Sequence, residues 1–213
     1  MADFKNEFSW SVSRNSLFRE CMRKYYYNYY GSWGGWDKNI QDRVVRELYI
    51  LKNLQMRWMW KGNIVHHELE RVLKELVSTG SLTPFEKSRE RVTKLMRDGF
   101  RSSREGRYRN VNGSLKNELA LFEHEYETET SDEKWQKNYD ETILCIENFY
   151  GSDVLESVRG LDKSEVITIE SMKPSTLSFS DERLFVKPDL AYKKDGGLRI
   201  VDWKTGGADS DDF

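Results

Sequence analysis

Three charged residues near the end of the sequence have the types and spacing of a metal-dependent hydrolytic site. Asp189 and Asp202 are separated by twelve residues, and Lys204 lies two positions after Asp202. Two carboxylates held close together repel each other, and a divalent cation such as Mg²⁺ or Mn²⁺ compensates for that repulsion. A lysine beside them can orient an attacking water and stabilise negative charge on a phosphate. Glu170, at the end of a preceding predicted strand, is a candidate for a third carboxylate.

A predicted hairpin brings these residues together. The β-branched and aromatic residues of segments 184–192 and 198–203 predict two strands, and Lys194-Asp195-Gly196-Gly197 between them predicts a tight turn. If the two central turn residues are Asp195-Gly196, the two aspartates face each other. If the turn lies one residue later, the first aspartate faces the lysine. In both registers the three charged side chains share one face, because side chains alternate along a strand.

The acidic–any–lysine triplet alone is weak evidence, because 33% of the residues in this chain are charged. Asp132-Glu133-Lys134 also fits the pattern, and we interpret it as a solvated helix face. Mixed charges on a hairpin edge can also serve solubility, and Asp189→Ala would then leave stability unchanged or improved. The predicted hairpin that joins Asp189 to the triplet at Asp202 favours the catalytic interpretation.

The rest of the sequence predicts helices first and a small sheet last. Helical spacing and capping signals predict helices that start near Ser13, over 40–56, over 60–77, from Pro84, over 114–127 and over 132–150. The β-branched residues Val166 to Ile169 predict the first strand. We therefore expect an α/β fold in one domain over residues 1–213. Its mainly helical residues 1–160 would pack on a small mixed β-sheet formed by residues 161–213.

Composition and cysteine usage indicate a soluble protein rather than a membrane or disulfide-rich protein. The formal net charge of −2 gives no overall sign of nucleic-acid binding. No segment has the roughly 18 apolar residues of a membrane span. Cys21 and Cys145 lie far apart in helix-like settings, which indicates reduced thiols. We expect a cytoplasmic protein with no membrane partner.

Three motifs resemble those of RecB-like PD-(D/E)XK nucleases. The first is Ser11-Val12-Ser13 through Phe18-Arg19-Glu20-Cys21-Met22-Arg23-Lys24-Tyr25-Tyr26. The second is Gly62-Asn63-Ile64-Val65-His66. The third joins Lys187-Pro188-Asp189 to Ile200-Val201-Asp202-Trp203-Lys204-Thr205-Gly206. They occur in the order typical of this family, whereas residues 80–160 contain nothing diagnostic.

The resemblance implies a restriction-endonuclease-like core and a metal-dependent deoxyribonuclease. The family includes RecB-type and CRISPR-associated exonucleases, so it implies exonuclease action on DNA ends or single strands. It also implies that Asp189 and Asp202 bind Mg²⁺ or Mn²⁺, and that Lys204 is the catalytic lysine. His66 would bind the metal or lie beside it, and Glu170 matches the early glutamate of the family by position.

Several features depart from the family pattern. Met22 follows Cys21 where a proline is usual, and Val186 replaces a frequent glycine. Relatives with an iron–sulfur cluster use four cysteines, so the two present here predict no such cluster. The family continues after its K-T-G motif with a helix and a strand, whereas this sequence stops at Phe213. We expect those elements to be missing, or to come from a longer chain or from a partner. A helicase or recombination protein is an expected partner of such a nuclease.

Three assignments have alternatives. A lone histidine on a helix face is often satisfied by its neighbours, and His67 competes with His66 for the family position; the glycine four residues earlier favours His66. Arg23 and Lys24 are candidates for phosphate contacts, whereas most tyrosines in segment 23–30 are interpreted as core rather than as base-stacking residues. A nucleic-acid-binding module that retains the fold without catalysis is the alternative function.

Overall fold

The computed structural model describes residues 6, 11–169, 175–179, 182–186 and 188–206. Its α-helices are α1 (Val12–Glu20), α2 (Met22–Tyr26), α3 (Arg43–Lys52), α4 (Arg57–Thr79), α5 (Phe85–Arg104), α6 (Phe122–Glu125), α7 (Asp132–Tyr150) and α8 (Asp153–Arg159). A π-helix spans Tyr27–Gly31, and 3₁₀ turns span Arg107–Asn110 and Lys163–Glu165. The strands are β1 (Val166–Ile169), β2 (Ser175–Phe179), β3 (Glu182–Val186), β4 (Leu190–Lys194) and β5 (Gly197–Val201). No helix in these segments is long and apolar enough to cross a membrane.

The chain forms two compact units, and the first contains residues 1–55, 99–128 and 175–186. Its core combines residues of α3 with residues of the irregular segment after α5: Tyr49, Ile50, Tyr108, Leu115 and Ala120. The Arg46 guanidinium supports that segment by donating hydrogen bonds to the carbonyls of Gly35 (2.8 Å), Gly113 (2.6 Å) and Val111. Strands β2 and β3 form an antiparallel hairpin in this unit.

The second unit contains residues 56–98, 129–174 and 187–213, and α4 is its central helix. Apolar residues recur every three or four positions along the 23 residues of α4, which gives the helix one buried face. That face includes Trp60, Ile64, Leu69, Val72 and Leu73. The helix contacts α7, α8 and β1. Gly80, at a left-handed φ of 72°, ends the helix as its sequence predicts.

Three antiparallel strands in the order β1-β4-β5 form the sheet of the second unit. The central strand β4 is buried at Leu190, Ala191 and Tyr192. β5 is an edge strand, and Ile200 on it is 65% exposed. In the β4–β5 hairpin, strand β4 is therefore mostly buried, and strand β5 is exposed to solvent.

The structure confirms the predicted α/β fold, with a helix-rich N-terminal part and a small sheet. All strand pairs among the described residues are antiparallel. Helices α4, α5 and α7 match predicted helices closely. α3 is shorter than the predicted 40–56, because the Asp42 side chain accepts hydrogen bonds from the amides of Val44 and Val45 and so starts the helix at Arg43.

Two local predictions were wrong. The predicted helix over 114–127 is helical only at α6. Before it, the Glu118 amide donates to the Leu115 carbonyl in a turn, and the backbone of Gln55 pairs with the residues on either side of Leu121. The Gln55 amide donates to the Ala120 carbonyl, and the Phe122 amide donates to the Gln55 carbonyl. The predicted strand over 184–192 is divided between β3 and β4, with Pro188 between them; proline has no N–H to donate to a ladder. β2 and α8 were not predicted.

Candidate active site

The β4–β5 hairpin adopts the register that places the two aspartates opposite each other. Asp195 and Gly196 have φ values of 52° and 73°, and positive φ at both central positions is what a type I′ turn requires. The last pair of the ladder is Leu190↔Val201, so Asp189 and Asp202 occupy the next opposed positions. The alternative register, with Asp189 opposite Lys204, is not formed.

Asp189 is buried, with 7% of its surface exposed, and both of its carboxylate oxygens have partners. Oδ2 accepts a hydrogen bond from the Trp203 amide at 2.6 Å, and Oδ1 lies 3.1 Å from His66 Nδ1. His66 Nε2 lies 3.1 Å from the Trp203 carbonyl oxygen, which can only accept. In this contact Nε2 is therefore the donor, and a hydrogen bond between His66 Nδ1 and Asp189 Oδ1 needs a hydrogen on one of those two atoms.

The pKa of the Asp189 carboxyl is raised above its ordinary value of 3.8. Burial is the main cause, because it disfavours the charged form, and the negative charge of Asp202 acts in the same direction. The hydrogen bond from the Trp203 amide and the charge of His66 oppose this rise. An additional positive charge nearby would therefore stabilise the ionised form of the Asp189 carboxyl.

Helix α4 places His66 beside the hairpin. His66 lies one turn after Gly62, and both residues face the segment that follows β5. A Cβ atom added at Gly62 would lie 3.3 Å from Thr205 Oγ1, which is closer than ordinary van der Waals contact. Glycine therefore allows the Asp202–Gly206 segment to approach the helix closely. His66 Nε2 can reach the Trp203 carbonyl across this narrow gap.

Lys204 and Asp202 form an exposed ion pair at the open edge of the site. Lys204 Nζ lies 2.7 Å from Asp202 Oδ2, and the two side chains are 77% and 57% exposed. Exposed pairs of this kind contribute about 0–1 kcal/mol, so the pair can open at little cost. The ammonium and the carboxylate are therefore both accessible to a ligand from solvent.

The donor set fits a hard divalent cation. Asp189 and Asp202 supply carboxylate oxygens, which Mg²⁺ and Mn²⁺ prefer. The hairpin register places the two aspartates at opposed positions, where their negative charges repel each other, and a cation would remove that repulsion. Within the described residues, no group of three or more His, Cys, Asp or Glu side chains could hold a metal ion. Glu170, the predicted third carboxylate, lies outside those residues.

The remaining predicted residues that the structure describes make other contacts. Arg23 and Lys24 lie on α2 in the first unit, where Lys24 Nζ pairs with Glu20 at 2.8 Å. His67, the alternative to His66, is exposed and faces Glu70 at 3.3 Å. Of the two histidines, His66 contacts Asp189.

The sequence motifs contain Trp203 and Gly62, but sequence reasoning assigned neither residue a structural role in the site. The backbone N–H of Trp203 donates to Asp189, the Trp203 carbonyl contacts His66, and the Trp203 ring packs edge-on against Phe149 with centroids 5.5 Å apart. Any residue type can make such backbone contacts, so no sequence signal could have revealed the role of the Trp203 backbone. The close approach at Gly62 could have been inferred, because a glycine in a helix costs about 1 kcal/mol relative to alanine and so suggests a packing reason.

Comparison with known proteins identifies a family over nearly the whole chain. The family model of the PD-(D/E)XK nuclease superfamily matches residues 9–213. Neither the curated proteins nor the solved structures yielded a match to the chain.

Proposed function

We propose that this chain, which belongs to the PD-(D/E)XK nuclease superfamily, hydrolyses phosphodiester bonds in DNA with the help of Mg²⁺ or Mn²⁺. We further propose that it acts as an exonuclease on DNA ends or single strands. Membership of the superfamily indicates a hydrolytic nuclease. The observation that supports metal-dependent hydrolysis is the opposed pair Asp189 and Asp202, with the Lys204 ammonium 2.7 Å from the second carboxylate. The exonuclease part of the proposal rests on the resemblance to RecB-type nucleases.

Asp189 and Asp202 would hold the divalent cation, with water completing its coordination. When bound, such a cation polarises a phosphate oxygen and lowers the pKa of a coordinated water. His66 and the Trp203 peptide group fix the orientation of the Asp189 carboxylate through one contact to each oxygen. Fixing a ligand in this way is the usual role of residues behind a metal site, and we assign it to both.

Lys204 is the residue of this chain that we assign to the reacting atoms. Its ammonium is exposed and carries three donors, so it can orient a water and stabilise negative charge on the phosphate. The neighbouring Asp202 carboxylate keeps the ammonium at the site until a phosphate competes for it. Lys204 thus supplies positive charge at the exposed carboxylate of Asp202, whereas His66 contacts the buried carboxylate of Asp189.

The test is cleavage of end-labelled single-stranded and double-stranded DNA in the presence of Mn²⁺, Mg²⁺ or EDTA. We expect metal-dependent cleavage that falls about 100-fold or more in Lys204→Ala, the usual effect of losing one transition-state donor. Lys193→Ala is the matched control, because Lys193 is an exposed lysine on the same hairpin. Equal loss in the two variants would show that general basicity, not the position of Lys204, is what matters.

Closed circular single-stranded DNA separates the two modes of action. An exonuclease leaves the circle intact and degrades the same sequence once it is linear. Cleavage of the circle would overturn the exonuclease assignment and leave the nuclease assignment in place. No cleavage of any substrate with either metal, by a folded protein that still binds DNA, would instead favour the non-catalytic binding module.

A further inference from the structure

An exposed aromatic surface, which the candidate active site does not use, lies on the first helices of the chain. Five large aromatic side chains there are between 37% and 55% exposed: Phe18, Tyr26, Tyr27, Tyr30 and Trp33. We call these five residues the aromatic patch. They fall within sixteen consecutive residues on α1, α2, the π-helix and the turn after it. Grouped exposed apolar side chains of this size usually mark an interaction surface.

The interpretation of this tyrosine segment as mostly core is wrong. Tyr25 and Tyr29 are half-buried, whereas Tyr26, Tyr27 and Tyr30 are exposed. A soluble chain gains nothing in folding from leaving three neighbouring tyrosine rings in water. Packing in the core therefore does not explain these three tyrosines, whereas binding of a ligand would.

A buried arginine supports one member of the patch, Tyr30, and the two half-buried tyrosines beside it. Arg14 is only 6% exposed, and its guanidinium lies 4.4 Å from the centroid of the Tyr29 ring. Arg14 donates hydrogen bonds to the hydroxyls of Tyr25 at 3.1 Å and Tyr30 at 3.3 Å. These contacts hold Tyr30, together with Tyr25 and Tyr29, in place before any ligand arrives. A rigid aromatic surface loses little side-chain entropy on binding, which favours affinity.

The exposed rings are arranged to receive flat ligands. Tyr26 and Tyr30 lie four residues apart, and their rings are within 17° of parallel with centroids 6.3 Å apart. Tyr27 lies against Tyr26 with centroids 5.5 Å apart at 66°. Nucleic-acid bases stack on such rings whatever their identity, because every base has an aromatic face.

The charge around the patch is positive, in contrast to the whole chain. Residues 11–36 contain four basic residues and one acidic residue, so their net charge is 4 − 1 = +3, whereas the chain as a whole carries −2. The basic residues are Arg14, Arg19, Arg23 and Lys24. Arg19 and Arg23 are exposed and form no ion pair with any residue that the structure describes. They are therefore available for contact with phosphate groups.

We propose that the aromatic patch binds single-stranded DNA, with unpaired bases stacked on the exposed rings and backbone phosphates contacted by Arg19 and Arg23. A single strand fits better than a duplex, because duplex bases are stacked on one another and present only their edges. The choice of DNA rests on the proposed nuclease function. The patch would hold the strand, which adds binding energy without taking part in the chemistry.

The test is equilibrium binding in EDTA, where cleavage cannot occur. Two fluorescent probes of about 20 nucleotides are compared by anisotropy, an oligothymidylate and an abasic strand with the same phosphates. We expect the oligothymidylate to bind more tightly to the wild type. Tyr26→Ala should weaken its binding at least about fivefold and leave abasic binding unchanged, whereas Tyr26→Trp should retain it. Tyr126→Ala is the matched control, since Tyr126 is 52% exposed but outside the patch.

Arg23→Ala tests the phosphate interaction separately. It should weaken binding of both probes equally. It should also reduce the slope of log affinity against log salt by about 0.7, because the variant neutralises one phosphate fewer on a single strand. A change confined to the oligothymidylate would contradict the assignment of Arg23 to the backbone.

Two outcomes would overturn the proposal. In the first, wild type binds both probes equally, or Tyr26→Ala and Tyr126→Ala bind alike. In the second, sedimentation shows a dimer that Tyr26→Ala disrupts, which would make a second copy of the chain the occupant. Neither outcome depends on catalysis. Base-dependent binding without cleavage would refute the proposed nuclease activity and support binding of single strands by the aromatic patch. Cleavage without base-dependent binding would support the nuclease activity and refute the role of the patch.

Discussion

Replacing Asp189 by asparagine or by alanine separates its hydrogen bonds from its charge. In Asp189→Asn, the amide oxygen can accept from the Trp203 N–H, and the amide N–H can donate to His66 Nδ1. His66 then stays neutral with its hydrogen on Nε2, the atom that faces the Trp203 carbonyl at 3.1 Å. In Asp189→Ala, neither hydrogen bond can form. Each variant removes one carboxylate from the proposed cation site.

The two variants should differ by about 2 kcal/mol in free energy of unfolding. A buried polar group left without a partner costs about 1–3 kcal/mol, and alanine leaves two of them, the Trp203 N–H and His66 Nδ1. We take the lower end for each, because the His66 side chain is 28% exposed and water can reach it. Asparagine keeps both hydrogen bonds and removes the charge whose burial raises the pKa of Asp189, so it should lie within about 1 kcal/mol of wild type.

Urea unfolding at neutral pH measures these differences, and the cleavage assay measures function in the same preparations. Both variants should lose metal-dependent cleavage. Asp98→Asn, an exposed aspartate in the same unit, controls for the loss of one negative charge. If Asp189→Ala were as stable as wild type, Asp189, Asp202 and Lys204 would be surface charges that serve only solubility, and the hydrogen-bonded site would not exist. If asparagine destabilised as much as alanine, the charge of Asp189, not its hydrogen bonds, would be what stabilises the fold.

Two further predictions concern Gly62 and His124. Gly62→Ala should raise stability by up to about 1 kcal/mol through helix propensity, but lower the cleavage rate about tenfold by displacing the segment at Thr205. Activity should return in the double variant with Thr205→Ala, and a fully active Gly62→Ala would refute the close approach. Burial lowers the pKa of His124 below its ordinary value of 6.5, so its contribution to stability is present above that pH and lost as pH falls below it. Urea unfolding should show that the free energy of unfolding falls less between about pH 7.5 and about pH 5.5 in His124→Gln than in wild type. An equal decrease in the two proteins would contradict this prediction.

The hairpin could be predicted from sequence because its determinants are local. Asp195-Gly196 specifies a turn type, the turn fixes the register, and the register decides that Asp189 faces Asp202. The alternation of side chains then places Lys204 on the same face. No tertiary information is needed for any of these steps, which is why two registers were the only alternatives.

The segments that were predicted wrongly are those that distant contacts decide. Residues 114–121 contain good helix formers, yet the backbone of Gln55 pairs with the residues next to Leu121, and this pairing replaces helical hydrogen bonds there. Tertiary contacts commonly override local propensity in this way. The tyrosines near Arg14 were misjudged for a related reason. Spacing shows which residues share a helix face, but not whether anything covers that face.

The contacts of Asp189 differ greatly in sequence separation, and this sets an order of events during folding. The hydrogen bond from the Trp203 amide closes a loop of 14 residues, whereas the contact with His66 spans 123. A hairpin forms within about 1–10 μs, while contacts between distant segments must wait for the slower closure of long loops. The hairpin can therefore bring Asp189 and Asp202 together while both are still hydrated. Only the later arrival of α4 removes water from Asp189 and raises its pKa. A partly folded chain in which α4 has not yet docked would thus carry both carboxylates without the buried surroundings that raise the pKa of Asp189.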